Sequence, residues 1–561
     1  MTIRILRCLC VLALLGGLSA AHAADMPLRP SHAAVASAHP IATAAGQEIL
    51  AAGGNAFDAA VAVSATLAVV EPYSSGLGGG GFWLLHRARD GHEVMIDGRE
   101  RAPLGATRTM YQDAKGNVVP HKSVDGPLAA GIPGEPAALV YLAEHYGRLP
   151  LARSLAPAIR AAREGFLVDE HYRRMARFRL KQLRASPAAA RTFLADGEVP
   201  PLGYVVRQPE LAATLEALAR HGRDGFYKGA VAEKLVAGAR AGGGIWTRKD
   251  LDQYRVVERA PIRGHYRGLT ITAAAPPSSG GIVLMEMLNT LAGYDLHKVD
   301  AVTRTHLIVE AMRRAYRDRA EYLGDPDFVT NPVALLTSPL YAAGLRASIR
   351  LDRATPSADL PSVVTHDSGH HTTHFSILDR DGNRVAATLS INYPFGSCYV
   401  AEGTGVLLND EMDDFSSKPG VPNVYGLVGA EANAIAPGKR PLSSMTPTFV
   451  DGPRGVAILG TPGGSRIITM VLLGVLKYEA GGDAEAMVKL PRFHHQYLPD
   501  VIQFEPGAFS ADEQLGLTAM GYTLRELDGP YGNMQVVVWD RKGNTVEAAS
   551  DPRGVGSAGV R

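Results

Sequence analysis

The chain has 561 residues, of which 46% are hydrophobic, as is ordinary for a globular protein. Its 57 basic residues almost equal its 56 acidic residues, so there is no electrostatic reason to expect nucleic acid or an anionic membrane as a partner. The length would allow three domains, but no linker rich in serine, proline or glycine divides the chain, and we expect one large compact unit.

Residues 1–23 have the features of a signal peptide. Arg4 and Arg7 precede a short apolar run, and Ala21-His22-Ala23 forms a cleavage site. The apolar run is too short to span a membrane, and no other stretch is long enough. We therefore expect a soluble, periplasmic or secreted protein. Cys398 would be the cysteine that remains after cleavage, which leaves no intrachain disulfide.

Small-residue helices and a glycine-rich segment are predicted next. Alanine-rich sequence on both sides of Gly53-Gly54 predicts two helices between residues 44 and 70 that can pack closely on a sheet. The glycines of 76–81 lead into the apolar run 82–85 without a Gly-Lys-Ser/Thr sequence. We therefore reject a phosphate-binding loop and expect close backbone packing near an active site.

The region between residues 149 and 349 is predicted to be mainly helical, because apolar residues recur at three- and four-residue steps. The predicted helices are 154–164, 170–183, 208–221, 230–241, 281–291 and 302–323. The arginines of the last helix, Arg313, Arg314 and Arg319 among them, are most simply solvated charges. We assign no chemistry to this region.

A predicted hairpin that begins near Thr372 is the centre of the sequence. Two runs rich in β-branched and aromatic residues, 370–378 and 385–392, flank a polar turn. A loop at 381–383 would place Thr372 opposite Asn392, and a slip of one or two residues would still keep Thr372 close to Asn392 and Ser390.

Thr372 would become reactive if the chain were cut before it. The preceding segment, 356–368, is polar and predicts an accessible surface stretch, so a cut between His371 and Thr372 is feasible. The freed α-amino group, with an ordinary pKa of about 8, would be a general base beside Oγ of the same residue. Taken alone, however, Thr372 is most simply an ordinary strand hydroxyl.

Four later segments carry further polar or glycine-rich motifs. Residues 409–414 hold five acidic or amide groups without EF-hand spacing, which suits an ammonium group better than Ca²⁺. Ser443-Ser444 can donate hydrogen bonds to a carboxylate, and Gly463-Gly464 can aim two backbone N–H groups at one oxygen. The loop 418–430, rich in proline and glycine, is either a plain surface loop or a lid.

Together these motifs resemble the γ-glutamyltranspeptidases, a family of N-terminal nucleophile hydrolases. The resemblance runs from about residue 30 to residue 553, and its main segments are 372–376, 409–415, 419–427, 440–445 and 462–466. It implies a four-layer αββα fold with two stacked, mainly antiparallel sheets, whereas periodicity alone supports only a mixed α/β class. It also implies a precursor that divides into a large subunit, 24–371, and a small subunit, 372–561.

The resemblance implies catalytic roles for four residues. Thr372 would be the nucleophile and would supply its own α-amino base. Ser390, where family members usually have threonine, would hydrogen-bond to the Thr372 Oγ. Gly463 and Gly464 would form the oxyanion hole.

The resemblance also implies a substrate site. Its residues would be Arg99, Asn392, Glu411, Asp414, Ser443, Ser444 and the lid residue Tyr425. Arg99 would bind the substrate α-carboxylate together with the two serines, since a guanidinium forms two parallel bonds with a carboxylate; Arg101 is its local competitor. Asn392, Glu411 and Asp414 would hold the α-amino group. Glu411 stands where bacterial relatives often have glutamine.

We therefore expect a self-cleaving enzyme that moves the γ-glutamyl group of glutathione and related compounds to water or to an amino acid or peptide acceptor. No metal, cofactor or nucleic acid is expected. One alternative is a glutaryl-cephalosporin acylase of the same fold, although such acylases tend to lack the lid. The other is a self-processed, non-catalytic periplasmic protein that binds γ-glutamyl compounds.

Overall fold

The computed structural model describes residues 28–360, 372–421, 423, 426–427 and 429–561. The predicted signal peptide (1–23), His371 of the predicted cleavage site and the predicted lid residue Tyr425 lie outside the described residues. Within the described ranges, no helix is both long enough and apolar enough to cross a membrane.

The helices confirm the predicted helical segments. They are α1 (Pro40–Ala51), α2 (Ala56–Val70), α3 (Glu135–His145), α4 (Leu151–Glu164), α5 (Glu170–Phe178), α6 (Leu180–Ala185), α7 (Pro187–Phe193), α8 (Pro209–His221), α9 (Asp224–Tyr227), α10 (Gly229–Ala241), α11 (Arg248–Gln253), α12 (Gly280–Leu291), α13 (Ala301–Tyr322), α14 (Val333–Leu336), α15 (Pro339–Ala347), α16 (Ile467–Glu479), α17 (Ala484–Lys489) and α18 (Ala511–Ala519). The predicted helix 170–183 is divided at Arg179, whose guanidinium Nε donates to the Cys398 sulfur at 3.1 Å. The residue between α5 and α6 is thus held by a tertiary contact.

The strands are β1 (Ala34–Ser37), β2 (Gly80–Arg87), β3 (His92–Gly98), β4 (Phe166–Leu167), β5 (Val205–Val206), β6 (Val257–Arg259), β7 (Ile262–Tyr266), β8 (Leu269–Ala273), β9 (Thr373–Leu378), β10 (Arg384–Ser390), β11 (Val400–Ala401), β12 (Val406–Leu407), β13 (Thr448–Asp451), β14 (Gly455–Gly460), β15 (Phe493–His494), β16 (Ile502–Phe504), β17 (Leu524–Glu526), β18 (Gln535–Asp540), β19 (Thr545–Ser550) and β20 (Ser557–Val560). Seven strands form one sheet in the order β20-β1-β9-β10-β2-β3-β6, and six form a second in the order β19-β18-β14-β13-β8-β7. In both sheets, each strand runs antiparallel to its neighbours.

The two sheets stack face to face between layers of helices. Along β9, Phe375 and Ile377 belong to the core shared with α1 to α4, whereas His374 and Ser376 point to the second sheet. On the far side, α12 and α16 pack against the second sheet. The sheets approach closely, since a Cβ on Gly460 would lie 2.2 Å from the His374 ring. The predicted four-layer αββα arrangement is thus confirmed.

The hairpin register differs by two residues from the prediction. Thr373 lies opposite Leu389, so the ladder continued by one step places Thr372 opposite Ser390 rather than Asn392. The cause is the turn, where the Asp379 carboxylate accepts the backbone N–H groups of Asp381 and Asn383, each at 2.9 Å. This Asx-type turn makes the loop 380–382 instead of 381–383.

The glycine-rich entry to β2 packs as predicted. A Cβ on Gly78 would lie 1.9 Å from the Leu407 carbonyl oxygen, and a Cβ on Gly79 would lie 2.2 Å from the Ser390 carbonyl oxygen. These distances are impossible for any side chain. The backbone before β2 can therefore press against the end of β10, where Ser390 stands.

Candidate active site

A small cleft at the start of β9 brings together most of the predicted site residues. Its lining is Arg99, Thr372, Ser390, Asn392, Glu411, Asp414, Leu427, Ser443, Ser444, Met445, Gly464 and Ile467. The free space within it is about 20 Å³, room for about one water molecule. Arg101, the competitor of Arg99, instead lines a separate pocket and donates to the Gly438 carbonyl at 2.7 Å.

Thr372 is buried at one side of this cleft, with 6% of its surface exposed. The chain beside it turns sharply after β10, because Asn392 has a left-handed φ of 72°, which asparagine tolerates well. The Asn392 backbone N–H donates to the Ser390 Oγ at 2.8 Å, and its side-chain amide donates to the Asp410 carbonyl at 3.0 Å. The turn thereby holds the Ser390 hydroxyl at the strand end next to Thr372.

The residue after Thr372 has a partner that the sequence did not reveal. The Thr373 hydroxyl donates to the buried carboxylate of Glu71 at 2.7 Å, and burial raises the pKa of Glu71 to about 7. Glu71 follows the last residue of α2, a helix whose N-terminus is fixed by a capping box between Asn55 and Asp58. The start of β9 is thus anchored to the first helical layer.

A buried charge cluster forms the opposite side of the cleft. The Arg99 guanidinium, which follows β3, pairs with the carboxylates of Glu411 and Asp414, and its Nε donates to the Pro441 carbonyl at 3.2 Å. Burial raises the pKa of Glu411 to about 7 although Arg99 opposes this shift, and the pKa of Asp414 is also raised by burial. Four carboxylate oxygens therefore compete for one cation in a site shielded from water.

Glu100 adds a further carboxyl behind Arg99. Its Oε2 lies 3.7 Å from the Arg99 Nη1, and within the described part of the chain neither of its carboxyl oxygens has a hydrogen-bond partner. Burial raises its pKa well above the ordinary value, so the neutral acid is favoured. The sequence alone does not indicate a role for Glu100.

The two serines lie on a loop held from behind by α12 and α13. The Ser443 carbonyl accepts the backbone N–H of Ser279 at 2.8 Å and its hydroxyl at 2.7 Å. The Ser444 Oγ accepts a hydrogen bond from Arg319 at 3.0 Å. This contact shows that the prediction of solvated arginines on α13 was wrong for Arg319.

Two other arginines of α13 are buried as well. Arg313 and Arg314 are only 1% and 2% exposed, and both pair with Glu310 of the same helix. Helical spacing did not reveal this because α13 is covered on several sides by α12, α18 and residues near 355 and 500. Arg304, near the start of the helix, is exposed as predicted.

Gly463 and Gly464 lie where β14 leads into α16. Both have positive φ angles, 143° and 55°, and a Cβ on Gly463 would lie 2.5 Å from the Met470 methyl carbon. A short 3₁₀ turn, Gly464–Arg466, then continues into α16 at Ile467. The N-terminal end of a helix thus faces the cleft, and its dipole favours negative charge there.

The described residues of the loop 418–430 also reach the cleft. Leu427 lines it, and the Asn423 amide donates to the Asp414 carboxylate at 3.3 Å. The Asn423 side-chain oxygen in turn accepts the Leu427 backbone N–H at 3.1 Å. The loop is therefore joined to the charge cluster.

Known proteins resemble this chain along almost its whole length. The family described as Gamma-glutamyltranspeptidase matches residues 42–560. A "Glutathione hydrolase proenzyme" of Pseudomonas sp. (strain A14) is 46% identical over 507 residues, covering 89% of this chain and 88% of the relative. The protein of the same name from Escherichia coli (strain K12) is 43% identical over 536 residues, covering 94% and 92%.

Solved structures show the same fold. A cephalosporin acylase from Bacillus halodurans superposes with a TM-score of 0.82 at 30% identity, covering 95% of this chain and 96% of that chain. The gamma-glutamyltranspeptidase of Helicobacter pylori is 40% identical with a TM-score of 0.57, covering 58% of this chain and 94% of that one. From its sequence match, its fold and the residues gathered in its cleft, this chain belongs to the γ-glutamyltranspeptidase family.

Proposed function

We propose that the protein is a γ-glutamyltransferase and glutathione hydrolase that uses Thr372 as its nucleophile. The observation that carries this proposal is the placement of Thr372 and Ser390 in the same cleft as Arg99, Glu411 and Asp414. A γ-glutamyl group has a reactive amide at one end and a zwitterionic amino acid at the other. The two sides of the cleft match these two ends, and the relatives named glutathione hydrolase support the assignment.

The charge cluster would bind the zwitterionic end. The substrate α-carboxylate would be held by Arg99, Ser443 and Ser444, and the α-ammonium group by Asn392 and the two acidic residues. Arg99 already pairs with Glu411 and Asp414, so these ion pairs would separate as the substrate groups bind. Each separated charge would then gain a substrate group of opposite sign, which avoids leaving a buried charge uncompensated.

Maturation would use the same threonine. The Thr372 Oγ attacks the carbonyl carbon of His371, the peptide bond to the Thr372 nitrogen breaks, and water hydrolyses the resulting ester. The products are a large chain ending at His371 and a small chain beginning with a free α-amino group on Thr372. The match to the Helicobacter pylori structure supports this division, since 94% of that chain corresponds to only 58% of this chain.

Catalysis would follow through a covalent ester. The α-amino group of Thr372 accepts the proton of Oγ, which attacks the γ-glutamyl carbonyl, and backbone N–H groups at Gly463 and Gly464 stabilise the oxyanion. The leaving amine takes the proton as the amide bond breaks. Water or an acceptor amine then attacks the ester and regenerates Thr372, while Ser390 orients its hydroxyl.

A cephalosporin acylase is the second candidate, because the Bacillus halodurans structure has the same fold. A glutaryl group has no α-amino substituent and would leave Glu411 and Asp414 without a counter-charge. The loop 418–430, which contacts Asp414 through Asn423, also favours the transferase. Both observations argue for a γ-glutamyl substrate.

The test compares release of the chromogenic amine from a γ-glutamyl anilide with cleavage of a glutaryl-cephalosporin. We expect turnover of the anilide and little of the cephalosporin; the opposite preference would establish the acylase. Binding of glutamate without turnover of either would indicate a non-catalytic binding protein.

The mass of the active protein should show two chains divided before Thr372, and export should remove residues 1–23.

A further inference from the structure

Helix α13 passes behind the cleft and places Arg319 against Ser444 and Ser279. The Arg319 Nη2 donates to the Ser444 Oγ at 3.0 Å, and its Nε donates to the Ser279 Oγ at 2.9 Å. Ser279 in turn donates its hydroxyl to the Ser443 carbonyl at 2.7 Å. One guanidinium therefore contacts Ser444 directly and Ser443 through Ser279, from a position outside the cleft lining.

This contact determines how the Ser444 hydroxyl can act. A guanidinium has only donors, so the Ser444 Oγ must accept the hydrogen bond from Arg319. Its own proton is then left for another acceptor, and among the described residues the hydroxyl makes no second hydrogen bond. Because Ser444 lines the cleft, a group bound in the cleft can accept that proton.

Arg319 also differs from its neighbours in charge compensation. Arg313 and Arg314 have carboxylate partners, whereas within the described part of the chain no carboxylate oxygen lies within 4.0 Å of Arg319. Arg319 as a whole residue is only 4% exposed. A buried cation without an adjacent anion is costly, and the Asp414 carboxylate acts on Arg319 only from beyond ion-pair distance. An anion bound beside Ser444 would compensate the charge of Arg319 further.

From these contacts we infer that Arg319 is a positioning residue for the substrate α-carboxylate. It fixes the Ser444 hydroxyl as a donor and supplies a second positive charge behind Arg99. This inference rests on the proposed γ-glutamyl function, because it assigns Arg319 to one particular group of that substrate. It predicts that Arg319 senses the α-carboxylate and not the α-amino group.

The test uses three anilides: γ-glutamyl, 4-aminobutyryl, which lacks the α-carboxylate, and glutaryl, which lacks the α-amino group. An anilide that turns over too slowly is measured as a competitive inhibitor. Arg319→Gln should raise KM or Ki about 10- to 100-fold for the two compounds that keep the carboxylate. This is the range typical of a hydrogen bond to a charged group. The 4-aminobutyryl compound should change less than threefold, and kcat should change less than KM.

Two further variants of α13 complete the comparison. Arg319→Lys keeps the charge but cannot bridge Ser279 and Ser444. It should recover part of the affinity that Arg319→Gln loses. Arg317→Gln is the matched control, because Arg317 is on the same helix but pairs with Asp318 outside the cleft lining. It should leave the preference among the three compounds unchanged.

Equal weakening for all three compounds, or no weakening, would overturn the inference. If Arg319→Gln does not fold or does not divide into two chains, Ser279→Ala replaces it, since this change removes one acceptor of Arg319. A smaller loss confined to the carboxylate-bearing compounds is then expected, and a uniform effect refutes the assignment. Failure of the unaltered protein to turn over the γ-glutamyl anilide would instead refute the proposed function.

Discussion

Replacing Glu411 by glutamine tests the charge cluster most directly. Burial raises the Glu411 pKa from 4.5 to about 7, so the carboxyl is more easily protonated in the folded protein than in the unfolded chain. The stability that the protonated Glu411 carboxyl contributes to the fold is therefore fully present below about pH 4.5. It is lost as the pH rises through about 7. At about 1.4 kcal/mol for each tenfold change in proton affinity, the loss is about 3 kcal/mol.

Glu411→Gln copies the neutral carboxyl and should remove this loss. We expect the variant to be more stable than the unaltered protein at pH 8, by up to about 3 kcal/mol, and to show little difference at pH 4.5. Denaturant unfolding at the two pH values measures this difference. Glu431→Gln is the matched control, since Glu431 is an exposed carboxylate that pairs with Arg108.

The same substitution should impair substrate binding. In the proposed function, ionised Glu411 binds the substrate ammonium group. The KM of the γ-glutamyl anilide should therefore fall as the pH rises through 7, about tenfold between pH 6 and pH 8. In Glu411→Gln the KM should be higher at pH 8 and should lose this dependence. A variant that keeps the original pH profile of KM, or that is less stable at pH 8, would refute the reasoning.

Three further predictions concern the nucleophile and its surroundings. Thr372→Ala should remain one chain and lose turnover, whereas Thr372→Ser should still divide; mass measurement and the anilide assay check this, and division of the alanine variant would contradict the assignment. Gly464→Ala should lower kcat about 100-fold, because its φ of 55° is strained for alanine and its N–H is a proposed oxyanion donor; an unchanged kcat would exclude that role. Thr373→Val should destabilise the protein by about 1–3 kcal/mol because buried Glu71 loses a donor, as measured by denaturant unfolding; Thr373→Ser, which keeps the hydroxyl, should cost less.

The local parts of the hairpin were predictable from neighbouring residues, and its register was not. The period-two pattern and the polar turn indicated two strands, since both signals lie within one stretch of chain. The alignment of those strands depended on the Asp379 carboxylate, which accepts two backbone N–H groups. This turn moves the pairing of β10 with β9 by two residues from the predicted register. Such turn geometry is set by side-chain contacts that composition does not specify.

The sequence by itself indicated a mixed α/β class from its periodicity. Its continuous motifs, through their family resemblance, indicated the four-layer fold, the candidate nucleophile and the cleft residues, because each motif is a run of adjacent residues. Only the tertiary structure decided which charges are buried and paired. Arg319 and Ser444 are 125 positions apart, and Thr373 and Glu71 are 302 apart. Helical spacing reports the faces of one helix but not what covers them, so the role of α13 emerged only when helices and sheets packed around it.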